Sequence, residues 1–426
     1  MSRPLVNQLA DILPAHSIDH WNDGHGLASP RVAPEEEAQF QEVMRLAGRE
    51  GLRVLPLGKG SKLGWLPRPE RVDLVLSTLA YRGVVSYEPA DGTVTARAGT
   101  PMGDLAAVVS EGGHHLSPAV PKADGSTLGG VVAAGQSGDD RMRYGALRNN
   151  LLGTRVVLAD GSAVKSGGQL VKNVTGYDLH RAFCGSFGSL CVVLEASLRL
   201  HPLPEDRALC KAHFSSRGEA LEMAAAIRRS PVRPVTTLVH DLTPSAVQQP
   251  WTLMVLLAGN PQVIGFEAQE LLALCPDAAI ARGSGVNAIT KQIRDIELVN
   301  GRWPSLSIES QPSTLNEVIG DVRQAAADCG YGLKLLIHPA VARTIVWLSP
   351  SGDAEASAAL EDPMAVAAFD ERLAQLPLVA RWRDLPPAVA KVVSPAGRPG
   401  PALDTMREIT QALDPGGVLA PRLFPA

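Results

Sequence analysis

At 426 residues, 45% hydrophobic and 20% charged, the chain has the composition of an ordinary globular protein long enough for two or three domains, and extensive disorder or coiled coil is excluded. A formal net charge of -4 supplies no broad basic field, which argues against a nucleic-acid partner. The five cysteines, Cys184, Cys191, Cys210, Cys275 and Cys329, never fall in C-x-x-C spacing, so reduced thiols are expected and a Cys₄ iron-sulfur motif is excluded from this chain.

Apolar runs such as Trp251 to Ala258 fall short of the roughly 20 residues needed to span a bilayer. Residues Met1 to Ala15 lack the pattern of a secretory signal, which sets the expected location as cytoplasmic. Residues 1–34 read as an N-terminal arm. Glu35 to Glu50 then predicts a helix, with glutamates at its positive end, Phe40, Val43, Met44 and Ala47 on one stripe, and Gly51 to stop it. A strand, Arg53 to Leu57, runs straight into Gly58-Lys59-Gly60-Ser61-Lys62-Leu63-Gly64. Further strands are expected at Val72 to Leu76, Val84 to Glu88 and Thr93 to Ala98, the last two joined by Pro89-Ala90-Asp91-Gly92. From Thr100-Pro101 to Gly112-Gly113 the pattern is helical, with Leu105, Val108 and Val109 facing inward.

Small residues dominate Ser126 to Gly138. Asp160-Gly161, between Arg155 to Ala159 and Ser162 to Lys165, signals a two-residue hairpin. Leu190 to Leu200 alternates, with Val192, Leu194, Ala196, Leu198 and Leu200 on one face and Glu195, Ser197 and Arg199 on the other. Prolines 202 and 204 and the charges that follow place a boundary near residue 205. Beyond it, helical patterns (Gly218 to Arg229, Val263 to Leu274, Leu315 to Cys329, Ala365 to Ala374) alternate with strand-like ones (Val235 to His240, Thr252 to Ala258, Gly332 to His338, Ala342 to Leu348). That alternation predicts a second α+β domain, an antiparallel sheet with helices on one face. Pro350 to Asp362 reads as a surface loop.

Three segments carry candidate chemistry. In Gly58 to Gly64, glycines free backbone N–H groups to turn toward an anion while Ser61 and Lys59 or Lys62 add a hydroxyl and a charge; a tight surface turn has the same composition. Its spacing matches neither the P-loop nor the G-x-G-x-x-G pattern, which disfavours a nucleotide triphosphatase and a Rossmann enzyme. Ser126-Thr127-Leu128-Gly129-Gly130 opens a stretch suited to a closely packed helix or to a planar ligand. Gly167-Gly168 to Gly176-Tyr177-Asp178-Leu179, followed by Gly185-Ser186-Phe187-Gly188, concentrates glycine and polar residues between strands.

In this order the segments resemble the FAD-binding PCMH-type oxidoreductases, the vanillyl-alcohol-oxidase-like flavoproteins, over about residues 50–202. Leu152-Gly153-Thr154-Arg155, Val171-Lys172-Asn173-Val174-Thr175-Gly176-Tyr177-Asp178-Leu179 and Leu413-Asp414-Pro415-Gly416-Gly417-Val418 are similar, more narrowly, to the FAD-binding E-type subunits of glycolate oxidase. The resemblance implies an α+β fold: a PCMH-type FAD-binding domain of two α+β subdomains over residues 35–205, then a C-terminal FAD-linked oxidase-like cap domain, 206–426, with an antiparallel sheet. It implies Gly58, Lys59, Gly60, Ser61 and Lys62 at the pyrophosphate, and Ser126, Thr127, Gly129 and Gly130 along the flavin. Gly176, Tyr177 and Asp178 would complete the wall, Gly188, Val192 and Val193 the adenine side, with Pro118 and Gly138 also at the cofactor.

The family's covalent members carry a histidine where this loop has Ser61 and Lys62, so noncovalent FAD is implied. The Glu-His-Gly-type motif of catalytic relatives is missing, and the catalytic residues are left unassigned. His240 and His338 end apolar strands and read as packed histidines, Arg302 and Arg323 as surface charges, and His114-His115 has no third ligand nearby, so no metal is expected. The implied function is that of a subunit oxidising a small 2-hydroxy acid, glycolate or D-lactate, with a second flavoprotein and an iron-sulfur subunit as partners. Membrane association would be peripheral, through those partners. Two alternatives stand beside it: a stand-alone FAD-dependent alcohol or hydroxy-acid oxidase, and a flavin-binding scaffold without chemistry.

Overall fold

Helix Glu37–Glu50 shows how local signals set this fold: Glu36 and Gln39 form a reciprocal capping box, Gly51 closes the helix at φ 63°, and Phe40, Val43, Met44 and Ala47 are fully buried. Each large apolar side chain so removed from water contributes about 1.5–3 kcal/mol. The computed structural model describes residues 4–420 apart from 25, 118, 170–176, 243–249, 297–303, 351–361, 396 and 398–401. They divide into two compact units, Met1–Gly138 with Gly145–Pro202 and Pro399–Ala426, and Asp139–Tyr144 with Leu203–Arg398. The chain therefore enters the second unit twice, and its last segment returns to the first.

Within the first unit, a four-stranded sheet runs in the order Ile18–Asn22, Ala28–Val32, Leu74–Ser77, Val54–Leu57. The two outermost N-terminal strands lie in the segment read as an arm; Pro30, opposite His20, disguises the pairing because proline normally demotes a strand reading. A second sheet orders Val84–Glu88, Thr93–Arg97, Val192–Pro202, Leu151–Val157 and Ala163–Gly167, with His114–Leu116 pairing the end of the long strand. All of its pairings are antiparallel.

Three details of this unit correct the sequence reading. The pairing of Val192–Pro202 with Leu151–Val157 slips between Val193 and Glu195, a bulge at Leu194. Such an extra residue inverts the alternation. Val192 and Leu194 consequently join the core beneath the first sheet, whereas Val193, Ala196, Leu198 and Leu200 join the other, and Ser197 is itself buried. Likewise the hairpin turn spans Leu158 to Ser162, not Asp160-Gly161 alone: Leu158 N–H donates to the Ser162 carbonyl at 2.9 Å and the Asp160 carboxylate accepts from Ser162 N–H at 2.8 Å. In helix Met102–Glu111 the buried stripe is Met102, Leu105 and Val109, and Val108 is exposed, about a sixth of a turn off that stripe.

The second unit is built on an eight-stranded antiparallel sheet in the order Ala279–Arg282, Asp206–Phe214, Trp251–Gly259, Thr236–His240, Tyr331–His338, Arg343–Pro350, Ser305–Glu309, Val379–Arg383. Helices Arg217–Arg229, Pro261–Leu274, Leu315–Asp328 and Pro363–Leu373 bury Ile227, Ile264, Val322 and Phe369 against one face. Helices are not confined to that face. Ser284–Ile296 packs Val286 and Ile293 against Leu209, Leu238, Met254 and Leu256 on the other. The register carries that second face onward as a cationic one: Lys211, Lys334, Arg343, Arg381 and Arg383 share it with His213, His240 and His338, and Glu309 is the acid among them.

Candidate cofactor site

Strand Val54–Leu57 delivers the chain into the glycine loop, and the loop meets the start of helix Leu128–Ala134. Thr127 caps this helix, its hydroxyl accepting from Gly130 N–H at 3.3 Å. A Cβ built on Gly58 would lie 2.3 Å from Thr127 Oγ1, and one on Gly129 2.6 Å from Ala98 Cβ. Only glycine allows both approaches. Gly60 sits at φ +74°, in the left-handed region glycine enters without strain.

At the centre of this contact is Lys62, buried to 7% exposure. Its ammonium donates to Ser126 Oγ at 3.1 Å and Ser61 Oγ at 3.0 Å, the two hydroxyls lying 3.4 Å apart. No carboxylate among the described residues pairs with it. Burial alone pushes its pKa down to about 8. Lys59 is directed elsewhere: it is hydrogen-bonded to the Asp124 carbonyl and exposed. The other glycine segment closes the same neighbourhood. Gly185 N–H donates to the Val132 carbonyl at 3.0 Å, Phe187 N–H to Ala133 at 2.7 Å, and a Cβ on Gly188 would stand 3.4 Å from Pro56.

Gln136, directly after the helix, was not singled out by its sequence context. Its amide is buried, yet neither its oxygen nor its nitrogen has a hydrogen-bond partner, and the hydroxyls of Ser117 and Thr154 are in the same condition. Leaving such groups unsatisfied costs about 1–3 kcal/mol each. The signal available was a lone amide inside an otherwise small-residue run.

The remaining expected positions behave differently. Val192 and Val193 are core residues, Gly138 is buried, Tyr177 is 93% exposed, and Asp178 pairs with Arg181 at 3.3 Å on its own short helix. Pro118 and Gly176, with Val171 to Thr175, lie outside the described residues, as does Arg302. Arg323 binds Asp241 at 2.5 Å and stacks over Trp251, and burial pushes His240 down to about 4 beside Met254. His114 bonds Tyr87 at 2.9 Å, and no cluster of three or more potential metal ligands occurs among the described residues. No described helix is long and apolar enough to cross a membrane.

The Asp414 motif has a structural purpose. Its buried carboxylate accepts from Val418 and Leu419 N–H at 2.8 Å each, setting residues 418–420 beside strand Val54–Leu57, where Val54 N–H donates to Val418 and Ala420 N–H to Val54.

Residues 28–167 match the family model of the FAD binding domain. The chain is 36% identical over 169 residues to glycolate oxidase subunit GlcE of Escherichia coli (strain K12), covering 39% of this chain and 47% of that protein. It is 28% identical over 317 residues to glycolate oxidase subunit GlcD of Bacillus subtilis (strain 168), covering 71% and 66%. D-lactate dehydrogenase of Archaeoglobus fulgidus is 27% identical over 234 residues, covering 53% and 52%. The chain thus spans about half to two thirds of the length of these relatives. Among solved structures, p-cresol methylhydroxylase superposes with a TM-score of 0.74 at 15% identity, over 98% of this chain and 95% of that one. The fold is shared.

Proposed function

We propose, with residues 28–167 as an FAD binding domain and the whole as a PCMH-type flavoprotein fold, that this chain is the FAD-binding subunit of a glycolate-oxidase-like complex. In this reading a small 2-hydroxy acid, glycolate or D-lactate, loses two electrons and two protons to become the 2-oxo acid. FAD, held noncovalently, is the acceptor that protein side chains do not provide. Electrons then leave for an iron-sulfur partner, and a second flavoprotein subunit completes the assembly. The expected setting is cytoplasmic, with any membrane contact made through partners.

One observation carries the cofactor assignment: Lys62, Ser61 and Ser126 form a cationic centre, with Lys62 buried and no carboxylate pairing with it among the described residues, walled by glycines that bring backbone close. That chemistry suits a dinucleotide's pyrophosphate. Ser126, Thr127, Gly129, Gly130 and the unsatisfied Gln136 would lie along the flavin, with Gly188 on the adenine side. The subunit reading is supported by the two glycolate oxidase subunits among the relatives and by the scattered free cysteines.

The second unit's cationic face favours one other reading. An acid-poor sheet face bearing arginines and histidines suits a carboxylate substrate in a stand-alone hydroxy-acid dehydrogenase. Anaerobic addition of glycolate or D-lactate to the purified chain separates the two. Flavin bleaching by the chain alone would establish the stand-alone enzyme; bleaching only with partner subunits present is the expected result. Replacing Gly60 with a bulky residue should abolish FAD retention, and unchanged retention would remove the glycine loop from the site.

A further inference from the structure

We propose that Lys62 couples FAD retention to a proton: the FAD-free site encloses this ammonium against hydroxyls, and binding the dinucleotide's anionic pyrophosphate supplies the counter-charge that locks the proton in place. The inference rests on the FAD assignment above and adds regulation of that site. Its basis is geometric. The Lys62 ammonium is enclosed, and among the described residues it is bonded to the hydroxyls of Ser61 and Ser126 alone.

Other charges on the packed elements point away. In the loop itself, Lys59 is bonded to the Asp124 carbonyl, and the Asp124 carboxylate lies against Gly103, where an added Cβ would fall 2.0 Å from its Oδ1. Helix Leu128–Ala134 carries no titratable side chain. The lysine's depressed pKa, about 8, accordingly has burial as its cause. An anion at the hydroxyl pair favours the protonated form, so binding takes up about half a proton at pH 8 and approaches one well above it.

The test is an FAD titration of the FAD-free protein, followed by flavin fluorescence at pH 7, 8 and 9. With an unoccupied-site pKa near 8 and full protonation in the complex, Kd rises about tenfold between pH 7 and pH 9. Calorimetry in buffers of different ionisation enthalpy should show uptake of about half a proton per FAD at pH 8. Lys62→Arg, which keeps its charge throughout, should bind with a flat profile; Lys62→Met should bind weakly and also flatly. These controls cancel titration of the ligand itself. Tight wild-type binding that is flat from pH 7 to pH 9, without proton uptake, overturns the coupling and leaves the FAD site intact. A Lys62→Met slope as steep as wild type overturns it too. No binding at pH 7 overturns the site assignment itself.

Discussion

Two cations, Lys62 buried and Arg294 half-buried, are held in opposite ways. Arg294, in the second unit, has its Nε 2.8 Å from the Asp139 carboxylate, itself 4% exposed. Burial pulls the arginine's pKa down, but attraction and hydrogen bonding to Asp139, with help from Asp140 and Asp295, reverse this to a net rise. Lys62, in the first unit, has two hydroxyls and, among the described residues, no anion, and its pKa falls. A buried cation supplied with its own carboxylate is a structural tie; one without is an incomplete site, because an uncompensated interior charge is costly unless something external neutralises it.

Opposite responses to neutralisation should follow. Asp139→Asn strips Arg294 of its partner and is expected to destabilise the second unit by about 3 kcal/mol, read from its urea midpoint. Removing both charges, with Asp139→Asn and Arg294→Met together, should recover most of that loss. Lys62→Met should instead stabilise the FAD-free protein. The folded lysine releases its proton near pH 8 and the unfolded one near 10.5. Between these values the unfolded chain binds more protons, so wild-type stability rises with pH there. The variant's advantage, of order 3 kcal/mol below pH 8, should therefore vanish toward pH 10.5. Denaturation of both proteins at pH 7 and pH 10.5 checks it, and equal differences would break the comparison.

Smaller effects sharpen the first region. Gly58→Ala drives a methyl group onto Thr127 Oγ1 and should cost about 1–3 kcal/mol together with FAD retention. Thr127→Ala, losing only the helix cap, should cost about 1 kcal/mol in thermal denaturation.

How much of this was legible depends on whether a residue's partners are near in sequence. Helix Glu37–Glu50 and the turn at Pro89–Asp91 follow from signals within a few residues, and both stand where expected. The glycine loop and Ser126 segment were legible as separate oddities, but their union through Gly58 and Thr127 is tertiary. Strand Asp206–Phe214 was hidden because its cationic face interrupts the apolar run, whereas Ser305–Glu309, where serine alternates with leucine and isoleucine, carries the strand period openly in only five residues. A bulge cannot be read from alternation that is perfect on paper, so Leu194 misled. Gln136 reveals itself only through the hydrogen bonds it lacks.

The pairing of residues 418–420 with Val54 has a consequence for biosynthesis. The strand that leads into the glycine loop gains its last neighbour from residues translated more than 360 positions later. On the ribosome its edge must wait, exposed, while the entire second unit is made, and contacts of such sequence separation form late. A nascent chain stalled before Val418 should therefore leave the Val54 edge without this neighbour, and limited proteolysis of chains truncated at that point should cut near it more readily than in the full chain.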